Sequence, residues 1–486
     1  MKKMIFLNPP FSAEELYGDL AGGGSELPPL GIVILATLTR KNGYETKIID
    51  AAALKLNYEA TVKKILEESP DILGITSTTM TIYKAAKVAG MVKEGNSNIK
   101  IVVGGPHITC CPEETMNLFP EFDVGVIGEG EITLIELLKY FENGLDLSSC
   151  KGIIFRNNNS IITTGRSEFI HNLDQIPFPA WDLLPDMVKY YQPAATSLNR
   201  SPATLLVTSR GCPGKCVFCD NSMFGNKCRG HSAEYIIGMI EHLQKNYGIK
   251  DIFFEDDNFF LFKKRNKELC RLIKEKKIDI SFSLMGRVDM ITPDVLLMLK
   301  DAGCWQIGYG CESGSQKILD TINKGITVEQ IERALDMTRK AGIRIKGLFM
   351  IGNFGESKET IEETLRFIKR VPMDDFQVNC FTPLPGTPGA KLAHKYGKYD
   401  PDWRKANIAL SENFIPDGLT REELSYYRKR AYRIFYLRPR IVFYYFLKMF
   451  KDKKMFLKIL RGGVSLLKYV ILGNVNISKH SYQRTK

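Results

Sequence analysis

The 486-residue sequence predicts two α/β units in series, a doubly wound domain and then a parallel sheet curved into a partial (β/α)6 barrel, followed by a helical C-terminal region. Three observations predict it. Short apolar runs rich in β-branched residues alternate with helical patterns through most of the chain, as in parallel sheets covered by helices. Several helical stretches stop at a glycine, as at Gly248, Gly303 and Gly342, where a left-handed residue ends a helix. Polar and glycine-rich segments recur just after the apolar runs, and in both architectures that edge of the sheet binds ligands. A 44% apolar and 25% charged composition is that of a globular protein.

The first unit is expected over residues 1–145. Strands are read at 4–7, 46–49, 72–76, 101–103 and 124–127, with helical patterns at 31–41, 62–68, 84–93 and 133–140. The strand ends carry Asn8-Pro9-Pro10, Asp50, Ser77-Thr78-Thr79, Gly104-Gly105-Pro106-His107 and Gly128-Glu129-Gly130-Glu131. Such glycines and hydroxyls suit close backbone approach to a large polar ligand. A dinucleotide is not expected, because no G-x-G-x-x-G follows the first strand and the glycines at 128–131 have the wrong spacing.

Residues 146–200 are expected to connect the units. A hairpin is read from 152–155 and 160–164 across Asn157-Asn158-Asn159. The Pro-rich segment from Ile176 to Asp182 is a crossing whose aromatic residues are expected to pack between domains. No internal repeat or low-complexity tract interrupts the pattern.

The second unit is expected over residues 201–395, with strands at 204–208, 251–254, 280–284, 305–309, 344–350 and 376–381. Helices at 233–247, 264–276, 293–302, 328–341 and 359–369 lie between them. The strand ends read Glu255-Asp256-Asp257-Asn258, Gly286-Arg287-Val288-Asp289 and Gly310-Cys311-Glu312-Ser313-Gly314, with Lys324-Gly325 ten residues on. The fifth strand runs through Met350-Ile351-Gly352 to Glu356. Carboxylates and an arginine at neighbouring strand ends suit a zwitterionic amino acid moiety and a ribose.

Directly after the first of these strands come Cys212, Cys216 and Cys219 at C-x3-C-x2-C spacing. Three thiolates can hold three irons of a four-iron, four-sulfur cluster and leave the fourth open to a small molecule. A structural zinc site with Cys228 as fourth ligand is the alternative, but such sites usually pair two knuckles, and no second pair follows within about 20 residues. The other seven of the eleven cysteines, Cys110, Cys111, Cys150, Cys270, Cys304, Cys311 and Cys380, read as small buried residues. No signal peptide opens the sequence, so a reducing cytoplasm is expected rather than disulfides.

This motif and the strand ends behind it resemble the radical SAM enzymes over about residues 202–388. The resemblance implies a [4Fe-4S] cluster on Cys212, Cys216 and Cys219 that binds S-adenosylmethionine and cleaves it to a 5′-deoxyadenosyl radical. It further implies that Phe218 and the segment from Met350 to Gly352 lie beside the adenine. Glu255 and Asp256 would bind the methionine amino group, and Arg287, Glu312 and Ser313 the carboxylate and ribose.

The first unit resembles the cobalamin-binding, Rossmann-like domain that precedes the barrel in the B12-binding group of that family. The resemblance rests on Pro28-Pro29-Leu30-Gly31, Ser77-x-Thr79, Gly104-Gly105-Pro106-His107 and Gly128-Glu129-Gly130-Glu131. It implies cobalamin contacts from Asn8, Pro9, Ser77, Thr79, Gly104, Gly105, His107, Gly128 and Glu129. The loop Asn8-Pro9-Pro10-Phe11-Ser12-Ala13 lacks the D-x-H-x-x-G histidine of other cobalamin proteins, so no lower-face histidine is expected from it. His107 is expected to contact the nucleotide tail or to be a buried, hydrogen-bonded ring. A flavodoxin-like domain that binds nothing is the alternative.

Together these resemblances imply hydrogen abstraction from an unactivated carbon, then cobalamin-dependent methyl transfer to it. Members of the group also catalyse oxidative cyclisation, including the anaerobic tetrapyrrole cyclase, or rearrangement, and those outcomes stay open. A non-catalytic cobalamin-binding protein would have no need of an open iron site, and an electron carrier would have a fourth cysteine. The expected partners are a small-molecule substrate, such as a lipid or tetrapyrrole, and a reductant such as flavodoxin or ferredoxin. Nucleic acid is not expected, because no recognised module accompanies the charge.

The net charge of +12 is concentrated at one end. Residues 421–486 carry 17 Lys or Arg against Glu422, Glu423 and Asp452, a local excess of +14, so the first 420 residues stand at −2. Helices are expected at 424–449 and 454–470 in this basic, aromatic-rich region, which is taken to span 396–486. Its longest uncharged runs, 441–447 and 469–478, are too short to span a bilayer. Two readings remain: a helical cap on the barrel with snorkelling basic side chains, or a basic amphipathic surface that puts a cytoplasmic protein in peripheral contact with anionic membrane.

Overall fold

In β1 (Lys3–Asn8) every residue from Met4 to Leu7 is buried, as happens in a central parallel strand covered on both faces. Ile5 and Leu7 point into one apolar core with the helix Ile82–Gly95, while Met4 and Phe6 point into another with the helices Leu30–Lys41 and Gly130–Asn143. The structure is a computed structural model that describes residues 2–158, 160–191, 193–408, 413–450 and 453–472.

Around β1 lie β2 (Glu45–Asp50), β3 (Ile72–Thr76), β4 (Lys100–Gly104) and β5 (Val124–Val126), all parallel, in the order β2-β1-β3-β4-β5. That is the flavodoxin-like doubly wound order, with its ligand crevice at the C-terminal strand ends. The hairpin expected in the connecting segment instead extends this sheet. Its strands β6 (Ile153–Asn157) and β7 (Ser160–Thr163) add antiparallel to β5 and cover an edge that three-residue β5 would otherwise leave open. Asn159, in the turn, lies outside the described residues. The Pro-rich crossing does pack between the units. Trp181 is fully buried against His242, and Ala180 N donates to Thr37 Oγ1 at 2.7 Å.

The second sheet contains β8 (Ala203–Leu206), β9 (Asp251–Phe254), β10 (Ser281–Gly286), β11 (Cys304–Glu312), β12 (Arg344–Ile351) and β13 (Asp375–Cys380). The six strands are parallel and adjacent in sequence order, which makes an open half-barrel.

The tail closes the free edge. The helix Arg421–Tyr436 buries Leu424, Ala431 and Phe435, with Phe435 stacked on Phe376 of β13 at 5.1 Å. The single helix expected over 424–449 is two, Arg421–Tyr436 and Pro439–Met449, because Pro439 has no N–H to continue the ladder but fits a first helical turn. A third helix, Lys453–Leu467, reaches back to the glycines at 22 and 23 of the first unit. Among the described residues no helix is long and apolar enough to cross a membrane. The end of the basic tail, 473–486, lies outside them.

Candidate active site

The cysteine loop is set by the end of β9. Thr208 N, Thr208 Oγ1 and Ser209 N all donate to Asp256, which is buried beside Arg265, and Gly211 N donates to Asp257 at 2.9 Å. Gly211 has φ +88°, and a Cβ there would lie 2.7 Å from Lys227 O, so only glycine makes this turn. Asp256 therefore differs from its sequence assignment. Its oxygens hold the turn into Cys212 and are not offered to a bound amino group. Glu255, next to it, remains open to solvent, and burial of its surroundings raises its carboxyl above the usual range.

On the loop Cys216 is buried, Cys212 half-buried and Cys219 open to the crevice. Desolvation and then the neighbouring Cys216 and Cys212 push the Cys219 thiol up to about 12. Desolvation likewise raises Cys216, opposed by Lys324 and Arg287. Three crowded thiols flanked by two cations are a donor set that a polycationic iron centre would stabilise as thiolates, so these residues fit such a cluster. Cys228 Sγ is bonded to Asn226 O, and among the described residues no three His, Cys, Asp or Glu side chains converge on a single ion.

The facing wall comes from β10 to β12. Arg287 donates to Asp289 at 3.0 and 3.1 Å and to Lys324 O at 3.0 Å, and its Nη1 lies toward the turn at Gly214. Glu312 pairs with Lys324 at 2.6 Å, both buried, from a left-handed backbone (φ +60°) at a register shift in β11. Gly310 makes room, since a Cβ there would lie 2.6 Å from Glu312 Oε1 and 2.8 Å from Lys324 Nζ. Phe218 and Met350 are brought into one apolar group with Val217, Phe354 and Phe381, and Lys324 lies 5.6 Å over the Phe218 ring. Ser313 is fully buried with its hydroxyl on Thr364 and Ser315, so it braces the loop after β11 and does not face the crevice as the sequence led one to expect.

The C-terminal edge of the first sheet faces this wall. Cys110, after β4, sits against Gly386, after β13, and beside Asp220, which follows Cys219. Ser77, Thr79, Gly104, Gly105, His107 and Gly128 gather on this edge, with Asn8 and Pro9 at the end of β1. Asn8 Nδ2 donates to Asp50 at 2.9 Å, Ser77 is bonded to Gly104 O, and a Cβ on Gly105 (φ +106°) would strike Ser77 O at 2.6 Å. A Cβ on Gly104 or Gly128 would meet nothing within 4 Å, so backbone is open there for a large ligand.

His107 is the buried ring of the two expected alternatives. Its Nδ1 is 3.1 Å from Thr79 Oγ1, its ring meets Trp403 edge-on at 4.3 Å, and burial lowers its pKa to about 4, so it is neutral. Its Nε2 is buried without a hydrogen-bond partner.

Glu129 departs from the sequence assignment. Arg210 and Arg229 bind its two oxygens at 2.9 and 2.8 Å, and Ile170 N donates at 2.9 Å. Burial would raise its carboxyl, but Arg229 and Arg210 outweigh that and hold it below the usual range. Arg210, Arg229 and Trp403 are the residues that sequence reasoning missed. Arg210 alone left a signal, a charge between a buried strand and the first cysteine.

Residues 206–368 match the Radical SAM superfamily and residues 19–138 the B12 binding domain. The chain is 37% identical over 444 residues to an uncharacterized methyltransferase of Pyrococcus horikoshii, across 91% of this chain and 94% of that one. It is 28% identical over 459 residues to the anaerobic magnesium-protoporphyrin IX monomethyl ester cyclase of Rubrivivax gelatinosus, across 92% of this chain and 79% of that one. Its fold matches the cobalamin-dependent S-adenosylmethionine radical enzyme OxsB, solved with aqua-cobalamin and S-adenosylmethionine. The TM-score is 0.72 at 19% identity, over 96% of this chain and 72% of that one.

Proposed function

The chain belongs to the cobalamin-binding radical SAM methyltransferase family, and on that premise we propose that it transfers a methyl group to an unactivated carbon of a small-molecule substrate held between its two sheets. Its cofactors are a [4Fe-4S] cluster, S-adenosylmethionine and cobalamin. When bound, the first two supply a 5′-deoxyadenosyl radical and the third a transferable methyl group. The observation that carries the proposal is the meeting of the two strand-end edges, where Cys110 of the first unit lies against Gly386 of the second. The cysteine loop and the open backbone at Gly104 and Gly128 lie on facing edges, so radical and methyl donor can address one carbon.

Each residue then has a task. Cys212, Cys216 and Cys219 hold three irons. Phe218 and Met350 give an apolar wall for adenine, backed by buried Phe354 and Phe381 that keep water out. Glu255 offers the accessible carboxylate for an amino group, and Arg287 a cation for a carboxylate beside the cysteines. Glu312 and Lys324 fix the loop that carries Arg287's acceptor. Asn8, Thr79, Gly104, Gly105 and Gly128 line the cobalamin edge, with Pro9, Ser77 and neutral His107 buried behind it.

Methyl transfer is favoured over cyclisation because the relative named a methyltransferase is 37% identical over nearly its full length, against 28% for the cyclase. A lipid or tetrapyrrole is the substrate class we favour, with a flavodoxin or ferredoxin as reductant in a cytoplasmic setting. The test is anaerobic reconstitution with iron, sulfide and hydroxocobalamin, followed by metal analysis and turnover. About four Fe and one Co per chain, with S-adenosylhomocysteine formed alongside 5′-deoxyadenosine, supports the reading. 5′-Deoxyadenosine without S-adenosylhomocysteine points to cyclisation, and iron without cobalt removes the methyl-transfer reading.

A further inference from the structure

The helix Pro439–Met449 buries Ile441 and Lys448 on one face and exposes phenylalanines on the other. Its Lys448 is 3% exposed and donates from Nζ to Ala195 O at 2.8 Å and Leu198 O at 2.7 Å, whereas Phe443 is 61% exposed and Phe446 52%. Phe450, one residue past the helix, is 68% exposed. The next helix, Lys453–Leu467, packs at close range on the first unit through Gly462 and Ser465, where a Cβ on Gly22 would lie 2.9 Å from Arg461 O. It presents Leu457, Leu460 and Val464 to solvent at helical spacing. The two helices pack against each other, and each keeps exposed apolar side chains. Exposed apolar side chains concentrated on two packed helices mark an interaction site.

Charge selects the occupant. Residues 439–486 carry eleven Lys or Arg against one acid, Asp452, and among the described residues Arg461 and Lys468 are exposed beside the patch. A symmetric pair of chains joined on this face would set two such positive surfaces against each other. The remaining segment, 473–486, has only Val475, Ile477 and Tyr482 as large apolar residues and is itself basic, so it does not complement the patch. Apolar side chains at the centre, aromatic rings and a basic surround are what an anionic bilayer surface accepts.

We propose that the faces of Pro439–Met449 and Lys453–Leu467 dock the protein peripherally on an anionic lipid surface, with Phe443, Phe446 and Phe450 entering the headgroup boundary. This rests on the tail alone and does not require the methyl-transfer reading. The test is co-sedimentation of the full-length protein with vesicles of phosphatidylcholine and of phosphatidylcholine mixed with phosphatidylglycerol, at low and high salt. The wild-type protein is expected to pellet with the mixed vesicles, less so in high salt. Combined Phe443→Ser, Phe446→Ser and Phe450→Ser should weaken this by about tenfold or more while leaving cofactor content unchanged, since all three are exposed. Equal failure to bind either vesicle, or a triple variant that pellets like wild type, overturns the proposal. So does a dimer seen by light scattering that the triple variant disperses without any vesicle binding.

Discussion

Arg210 Nη1 lies 2.9 Å from Glu129 Oε1, joining the two sheets through a pair of almost fully buried side chains. Arg210 precedes Cys212 by two residues, and Glu129 stands just before the helix Gly130–Asn143 of the first unit. Arg229 stands opposite Arg210 in a short antiparallel ladder and binds the other oxygen of the same carboxylate. The loop that carries the cysteines is therefore bracketed at both ends by guanidinium groups on one anchor, which ties its position to the first unit.

Substituting Glu129 by Ala leaves two buried guanidinium groups short of a counter-ion, with only Glu131 remaining for Arg210. Breaking a buried pair this way costs about 3–5 kcal/mol. Thermal unfolding should begin several degrees lower than in wild type, and reconstituted iron should fall. An unchanged unfolding curve would show that the bracket has no energetic weight.

Cys212→Ala, Cys216→Ala and Cys219→Ala should each abolish reductive cleavage of S-adenosylmethionine. Cys228→Ala should retain it, because that thiol is directed at the Asn226 carbonyl. Iron analysis and 5′-deoxyadenosine release distinguish the variants. Loss of iron in Cys228→Ala equal to the other three would bring the four-ligand site back.

Lys324→Met strands Glu312 in a buried position with a strained backbone. A penalty of about 3 kcal/mol or more is expected, together with weaker binding of S-adenosylmethionine, because losing the Glu312 pair loosens the loop whose backbone carbonyl at 324 holds Arg287. Equilibrium dialysis with the cluster-loaded protein measures the second effect, and wild-type affinity would detach Lys324 from the site.

Glu356 is buried behind the loop after β12, where burial pushes its carboxyl up to about 7 from an ordinary 4.5. The folded state thus holds a proton that the unfolded chain has released, so the contribution is full below pH 4.5 and is lost as pH rises toward 7. The loss is roughly 3 kcal/mol across that window. Glu356→Gln should gain stability over wild type as pH rises from 4.5 to 7 and show little difference below. A difference between the two proteins that does not vary with pH would mean that Glu356 is ionised in the fold.

The periodicity of apolar residues was enough to find all six barrel strands, because a strand reads as a continuous apolar run where both faces are buried, as at Ala203–Leu206, and as an alternation where one is, as at Arg344–Ile351. The cysteine loop was legible for a similar reason, since three thiols within eight residues can meet without help from distant parts of the chain. At the strand ends only the residue types could be read. Asp256, Ser313 and Glu129 have the right chemistry for a ligand, yet Thr208, Thr364 and the two arginines occupy them first.

The sequence by itself determined the two sheets, their shared polar edges, the three-cysteine loop and the positive charge of the tail, all set by local spacing and composition. Only the tertiary structure decided that the hairpin completes the first sheet, that Pro439 splits the tail helix and turns its phenylalanines outward, and which carboxylates stay free. The reason is that a polar group's availability depends on what lies within about 3 Å of it, and for Glu129 those partners come from 81 and 100 residues away.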